Sequence, residues 1–115
     1  MNSKYFVPFE TAKALKEKGY PQEIDVIHFD GRIVHRNLST EQMAILCIVA
    51  APTYHEVVDW LEGKGIILVT DAKRYRGGLI YWCNIGWGVK FEETDEFPTR
   101  EEALNAAILR ALEMI

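Results

Sequence analysis

Cysteine is scarce in this chain. The only two, Cys47 and Cys83, stand alone in apolar segments with no Cys-x-x-Cys spacing. That pattern reads as two small core hydrophobes in a reducing compartment rather than as a disulfide framework. Long hydrophobic runs are missing too. The longest, Met43 to Pro52, falls far short of the roughly 20 residues a membrane-spanning helix needs, so no membrane partner is expected. The N-terminus has no basic segment leading into an apolar stretch, so no signal peptide is expected and the chain reads as cytoplasmic. Positive charge is in deficit. The formal net charge of -4 disfavours a general nucleic-acid binder, whose affinity rests on neutralising phosphates, while leaving room for a local basic patch. No glycine pattern matches a P-loop or a dinucleotide fingerprint, and no nucleophile, base and orienting group stand in a recognisable set. Cofactors and catalysis are therefore not expected.

What is present is an ordinary globular composition. Hydrophobic residues make up 49% and charged residues 26% of 115, enough for one domain with its own core. The most informative stretch runs from Ala51 to Phe91. Thr53 and Glu56 form a capping box that opens a helix at Tyr54. Tyr54, Val57, Val58 and Leu61 fall at i, i+3, i+4 and i+7 and share one face, while His55, Glu56, Asp59 and Glu62 face water. Gly63 and Gly65 end the helix. Ile66-Ile67-Leu68-Val69 then reads as a central strand. From Leu79 to Phe91 the odd positions are Leu79, Tyr81, Cys83, Ile85, Trp87, Val89 and Phe91, a period-two pattern that predicts one long strand with its odd face buried. A loop from Asp71 to Gly78 joins the two as an antiparallel hairpin.

Elsewhere, Phe9 to Lys18 reads as a peripheral helix ended by Gly19, with a thin apolar face of Phe9, Ala12 and Leu15. Asp30-Gly31 predicts a two-residue turn that pairs His28 with Ile33, Val26 with His35 and Asp25 with Arg36 in an edge hairpin. Ser39 to Gln42 is a second capping box, opening a short helix that becomes extended before Pro52. An acidic connector, Glu92 to Glu96, precedes a third box, Thr99 with Glu102, and a last helix with an inward stripe of Ala103, Leu104, Ala107, Ile108, Ala111, Leu112 and Ile115.

The expectation is a single α+β domain over 1–115. An antiparallel sheet of two hairpins (23–37 and 65–91) packs with helices 9–18, 53–63 and 100–114, in the order α, β, β, a short helix, α, β, β, α. Whether both hairpins join one sheet is left open by the sequence.

Three segments, Val7 to Tyr20, Ala51-Pro52-Thr53-Tyr54 leading into Val58-Asp59-Trp60-Leu61, and Thr99 to Ala107, resemble a family of small uncharacterised proteins of Bacteroides-type genomes and prophages. The last two, with the strands between them, are more loosely similar to the phage ABA-sandwich domain. The resemblance covers nearly the whole chain in order and departs mainly between Ser39 and Ala50. It implies a bacterial, mobile-element setting and a helix-strand-strand-helix core, and it carries over no catalytic residue.

Two surfaces are candidates for binding. Ile80, Trp82, Asn84, Gly86 and Gly88 leave the even face of the long strand nearly bare, a flat platform for a protein partner or a second copy if no helix covers it. Lys73, Arg74, Tyr75 and Arg76 form the one basic cluster and offer cations for phosphates and a ring for a base. Against that stands a solvated loop. His28 and His35 are diagonal neighbours, but two ligands do not make a metal site. His55 and Asp59, at i and i+4, read as a solvated surface pair. The first reading is therefore a phage-related interaction or accessory module without catalysis. A nucleic-acid-associated accessory protein is the alternative, and an enzyme comes third.

Overall fold

The computed structural model describes residues 3–22, 26–29, 31–35 and 49–115. Among the described residues, three α-helices and two antiparallel three-stranded sheets make an α+β fold, as expected. The chain divides into two compact units, Met1–Thr53 and Tyr54–Ile115.

In the first unit, helix α1 spans Phe9–Glu17. Pro8 precedes it in extended conformation, and its end is a Schellman motif: Tyr20 N donates to Leu15 O at 2.9 Å and Gly19 N to Lys16 O at 3.1 Å. The motif requires a left-handed residue, which Gly19 supplies at φ 92°. Leu15, Ala12 and Thr11 are buried, whereas Phe9 is half-exposed. The sheet is made of β1 (Val26–Phe29), β2 (Arg32–His35) and β3 (Val49–Ala50), in the order β2-β1-β3. His28 pairs with Ile33 and Val26 with His35, the expected register. The pair Asp25 and Arg36, the capping box at 39–42 and Cys47 lie outside the described residues. The hairpin is less peripheral than its mixed polarity suggested, because β3 adds on the far side of β1 and leaves β1 central. Gln22 ties the arrangement together, its amide nitrogen donating to Tyr20 O and its amide oxygen accepting from Ala50 N.

In the second unit, α2 (Tyr54–Gly63) starts where the capping pattern placed it and buries Tyr54, Val57 and Leu61. The last helix, α3 (Arg100–Leu112), is capped by Thr99, whose hydroxyl oxygen accepts from Glu102 N at 3.2 Å and whose hydroxyl donates to the Glu102 carboxylate at 3.1 Å. Its buried stripe is Ala103, Ala107, Ile108, Ala111 and Leu112, while the outermost predicted member, Ile115, is exposed beyond the helix end. Arg110, on its solvent side, pairs with Glu92 and Glu113.

Strands β4 (Ile66–Tyr75), β5 (Gly78–Trp87) and β6 (Lys90–Glu93) form the second sheet in the order β4-β5-β6, separate from the first. Both α2 and α3 pack on it. Its core is Ile66, Leu68, Cys83 and Ile85 against Val57, Leu61, Ile108 and Leu112. Each such aliphatic side chain contributes about 1.5–3 kcal/mol through the water its burial releases.

Two expectations for this sheet are corrected. The loop from Asp71 to Gly78 is a two-residue turn, because β4 runs on to Tyr75 and pairs with Gly78. Arg76 and Gly77 both have positive φ, 50° and 82°, the signature of a type I′ turn, whose twist matches that of the strands it joins. The single long strand from Leu79 to Phe91 is broken at Gly88-Val89. Gly88, at φ 60°, supplies the positive first position that a type II′ turn needs. Trp87 then pairs with Lys90, so the parity of the side chains reverses across the turn. Val89 stands in the turn, fully exposed, and Phe91 falls on the face opposite the one its odd number suggested.

Candidate functional site

The two faces of the second sheet follow from its register. Ile66, Leu68 and Thr70 share a face with Trp87, Ile85 and Cys83, the side on which the helices lie. Ile67, Val69, Asp71, Lys73 and Tyr75 share the other with Gly86, Asn84, Trp82, Ile80 and Gly78. On that outer face β6 contributes Phe91, opposite Gly86, and Glu93, opposite Asn84. Ile67 (53% exposed) and Phe91 (70%) therefore flank the bare Gly86, with Val69 (55%) next along β4 opposite Asn84.

Of the residues expected to form the platform, Ile80, Trp82, Asn84 and Gly86 do lie together on this outer face, each half-buried. Gly88 does not, since it belongs to the turn. Sequence reasoning missed Ile67, Val69 and Phe91. The signal for the first two was present: in a run of four apolar residues alternate side chains must emerge on opposite faces. Phe91 had none, because parity reverses only once the turn is recognised.

Trp82 sits across from Asp71, with the Lys73 ammonium 5.9 Å from its ring centre. Lys73 also reaches Glu96, 3.2 Å away and comparably exposed. The basic cluster is thus not a loop. Lys73, Arg74 and Tyr75 belong to β4, and only Arg76 lies in the turn, its guanidinium 5.2 Å from the Tyr75 ring centre. From Asp71 to Leu79 every residue is exposed, so this end of the hairpin is a two-stranded ribbon in water. A charged stretch with no apolar alternation resembles a loop, yet pairing needs only the backbone.

The far side of β5 is occupied along most of its length. Beyond β6, Thr94 Oγ1 accepts from Cys83 N at 2.9 Å and Thr94 N donates to Cys83 O. Tyr81 and Phe97 exchange both backbone bonds at 2.7 and 2.8 Å. Cys83 itself is fully buried, and desolvation pushes its thiol up to about 11, the form least suited to a nucleophile.

His28 and His55 lie in separate units. His28 is buried in the first sheet, its Nε2 2.9 Å from Val7 O and its ring edge-on to Phe9. Burial holds its pKa below the ordinary value, and the bond to Val7 opposes that shift. His35 pairs with Val26, and its side chain lies outside the described residues. His55 Nε2 is 3.5 Å from Asp59 Oδ2 on the exposed side of α2. Among the described residues no three His, Cys, Asp or Glu side chains gather in a metal-binding group, and no helix is long and apolar enough to cross a membrane. Comparison of the chain with protein-family models, with curated proteins and with solved structures finds no match.

Proposed function

We propose that this protein is an interaction or accessory module that docks a protein partner on the outer face of the second sheet and does no chemistry itself. The observation that carries the reading is the exposure of Ile67, Val69 and Phe91 about Gly86, more than half in each case, on the same face as Trp82 and Ile80. Apolar surface in water costs roughly 25 cal/mol per Å², and a contiguous patch on a folded chain marks a place where another surface removes it from solvent. The aromatic pair Trp82 and Phe91 is the kind of anchor that dominates interface energies. The resemblance to small proteins of Bacteroides-type genomes and prophages supports a cytoplasmic setting in a bacterial host. The test is retention of a host-cell partner by the immobilised protein, compared with a folded Trp82→Glu variant. A partner held by the wild type and released by the variant supports docking on this face, whereas equal retention by both removes it.

A second reading rests on the ribbon. A two-stranded ribbon is narrow enough for a DNA major groove, and this one carries Lys73, Arg74, Tyr75 and Arg76 at its end. The net charge of -4 and the Lys73–Glu96 pair weigh against it. Salt-dependent binding to DNA or RNA, abolished when Lys73, Arg74 and Arg76 are changed to Ala, would support this reading over the first.

A further inference from the structure

Among the described residues no strand pairs with β4 on the side away from β5, and that edge is a surface distinct from the outer face. β4 is the first strand of the sheet order, and its ten residues pair with β5 without a bulge. Tyr75 and Gly78 flank a two-residue turn and so form a hydrogen-bonded pair. By the alternation of an antiparallel ladder, Lys73, Asp71, Val69 and Ile67 also turn their backbone groups toward β5. The N–H and C=O groups of Leu68, Thr70, Ala72 and Arg74 then point away from the sheet. One of these donors shows its partner: Ala72 N donates to the carboxylate of its own neighbour, Asp71, at 2.9 Å. An edge of this length, without proline or bulge, is a template for another strand.

The side chains along that edge identify the strand that fits. About Ala72 the sequence Val69-Thr70-Asp71-Ala72-Lys73-Arg74-Tyr75 is self-complementary. When two copies run antiparallel with Ala72 opposite Ala72, Asp71 of each lies opposite Lys73 of the other. Thr70 then lies opposite Arg74, and Val69 opposite Tyr75. These are an opposite-charge pair and a β-branched residue against an aromatic ring, both favoured cross-strand combinations, and each occurs twice. Shifting the centre to Asp71 sets two carboxylates against each other. Shifting it to Thr70 leaves Lys73 opposite Ile67. Of these registers only the first sets Asp71 and Lys73, the acid and one of the bases of the segment, opposite each other.

We propose that β4 pairs in this register with β4 of a second copy, joining two three-stranded sheets into one six-stranded sheet across a two-fold axis at Ala72. On pairing, the Ala72 N–H exchanges the Asp71 carboxylate for the partner's Ala72 carbonyl. The freed carboxylate meets the partner's Lys73, which gives up Glu96. The contact is isologous and closes at two copies, so it builds a dimer rather than a fibre. It leaves the outer face open, and that face becomes continuous across the dimer.

Light scattering over a concentration series tests the pairing. The wild-type chain is expected to pass from monomer to dimer as concentration rises. Ala72→Pro removes the central outward N–H without touching a bond to β5, so its monomer should keep the wild-type circular dichroism and lose the dimer. Asp71→Lys and Lys73→Asp, each placing like charges opposite one another twice, should each weaken the dimer by about tenfold. The double exchange D71K/K73D should restore it, an outcome specific to this register. A wild type that remains monomeric throughout overturns the proposal, as does a dimer that Ala72→Pro leaves intact or that the double exchange fails to rescue. Phe91→Glu, on β6 with β5 between it and the edge, leaves the edge unchanged, so a dimer it abolishes would belong to the outer face, and failure of either surface is read separately from the other.

Discussion

In the first sheet the central strand β1 hides neighbouring side chains that point to opposite faces, Ile27 and His28. In the second the central strand β5 hides Cys83 and Ile85 on one face, while Trp82, Asn84 and Gly86 on the other remain half-exposed beside Ile67, Val69 and Phe91. A strand buried on both faces has little surface left to offer a partner, because its side chains are committed to the core. A strand buried on one face keeps the other for a partner. The comparison therefore sets β1 apart as a strand committed to the core and leaves the second sheet with one face unburied, the face on which docking is proposed.

The sharpest way to break that contrast is to truncate side chains on each surface. Ile27→Ala and Ile85→Ala, at fully buried positions, should each cost about 2–5 kcal/mol of stability through lost transfer energy and a residual cavity. Ile67→Ala and Phe91→Ala, on the outer face, should cost at most about 0.5–1 kcal/mol. Denaturant unfolding measures all four. A large loss at Ile67 or Phe91 would mean that the outer face is part of a core and would remove it as a docking surface.

Thiol chemistry probes the buried side of β5. With its pKa pushed up to about 11 and no exposed surface, Cys83 should stay unlabelled by iodoacetamide in the native protein near neutral pH and react only as the fold opens. A fast native reaction at Cys83, located by peptide mapping, would show that the helices do not seal this face.

How much of this was legible in the sequence follows from where the chain reports its neighbours. Helix starts at Tyr54 and Arg100 were legible because capping is local chemistry, settled within three residues. The first hairpin's register was legible because Asp-Gly fixes it from within. The turns at Arg76-Gly77 and Gly88-Val89 were not. Arginine is an unusual occupant of a left-handed position, and alternation ran unbroken through Gly88. The third strands were hidden for a different reason. β3 is only two residues long, and β6 shares the acidic composition of a connector. The platform was half legible: Trp82 and Gly86 were found by parity, Ile67 was within reach of the same argument, and Phe91 depended on recognising the turn at Gly88-Val89.

Acid should separate the two sheets in the opposite direction, through β1 rather than the unburied face of the second sheet. Burial holds the His28 pKa below its ordinary value of 6.5, so the unfolded chain takes up a proton more readily than the folded one. Stability is then complete above about pH 6.5 and declines as pH falls below it toward the folded-state value. His28→Gln, whose amide can still donate to Val7 O, should lose that part of the pH dependence. Thermal midpoints of the two proteins, compared across the acid range, test this. Parallel curves would place the acid sensitivity elsewhere.

The smallest effect lies at the tip of the ribbon, where the second sheet is least supported by packing. Arg76 has φ 50°, a conformation that costs an ordinary L-residue roughly 1–2 kcal/mol because its Cβ crowds the following carbonyl. Asparagine tolerates the left-handed region, and Asn-Gly is a preferred pair for a type I′ turn. Arg76→Asn should therefore stabilise the hairpin by about 0.5–1 kcal/mol, even though it discards the contact between the Arg76 guanidinium and the Tyr75 ring. Such a contact is worth at most about that much at an exposed site, so the sign of the measured change decides between backbone strain and side-chain stacking. A stabilised variant that dimerises as the wild type does would show that the arginine is not needed for self-pairing. A destabilised one would mean that stacking on Tyr75 holds the turn, and that the ribbon's tip is shaped by its side chains rather than by its glycine.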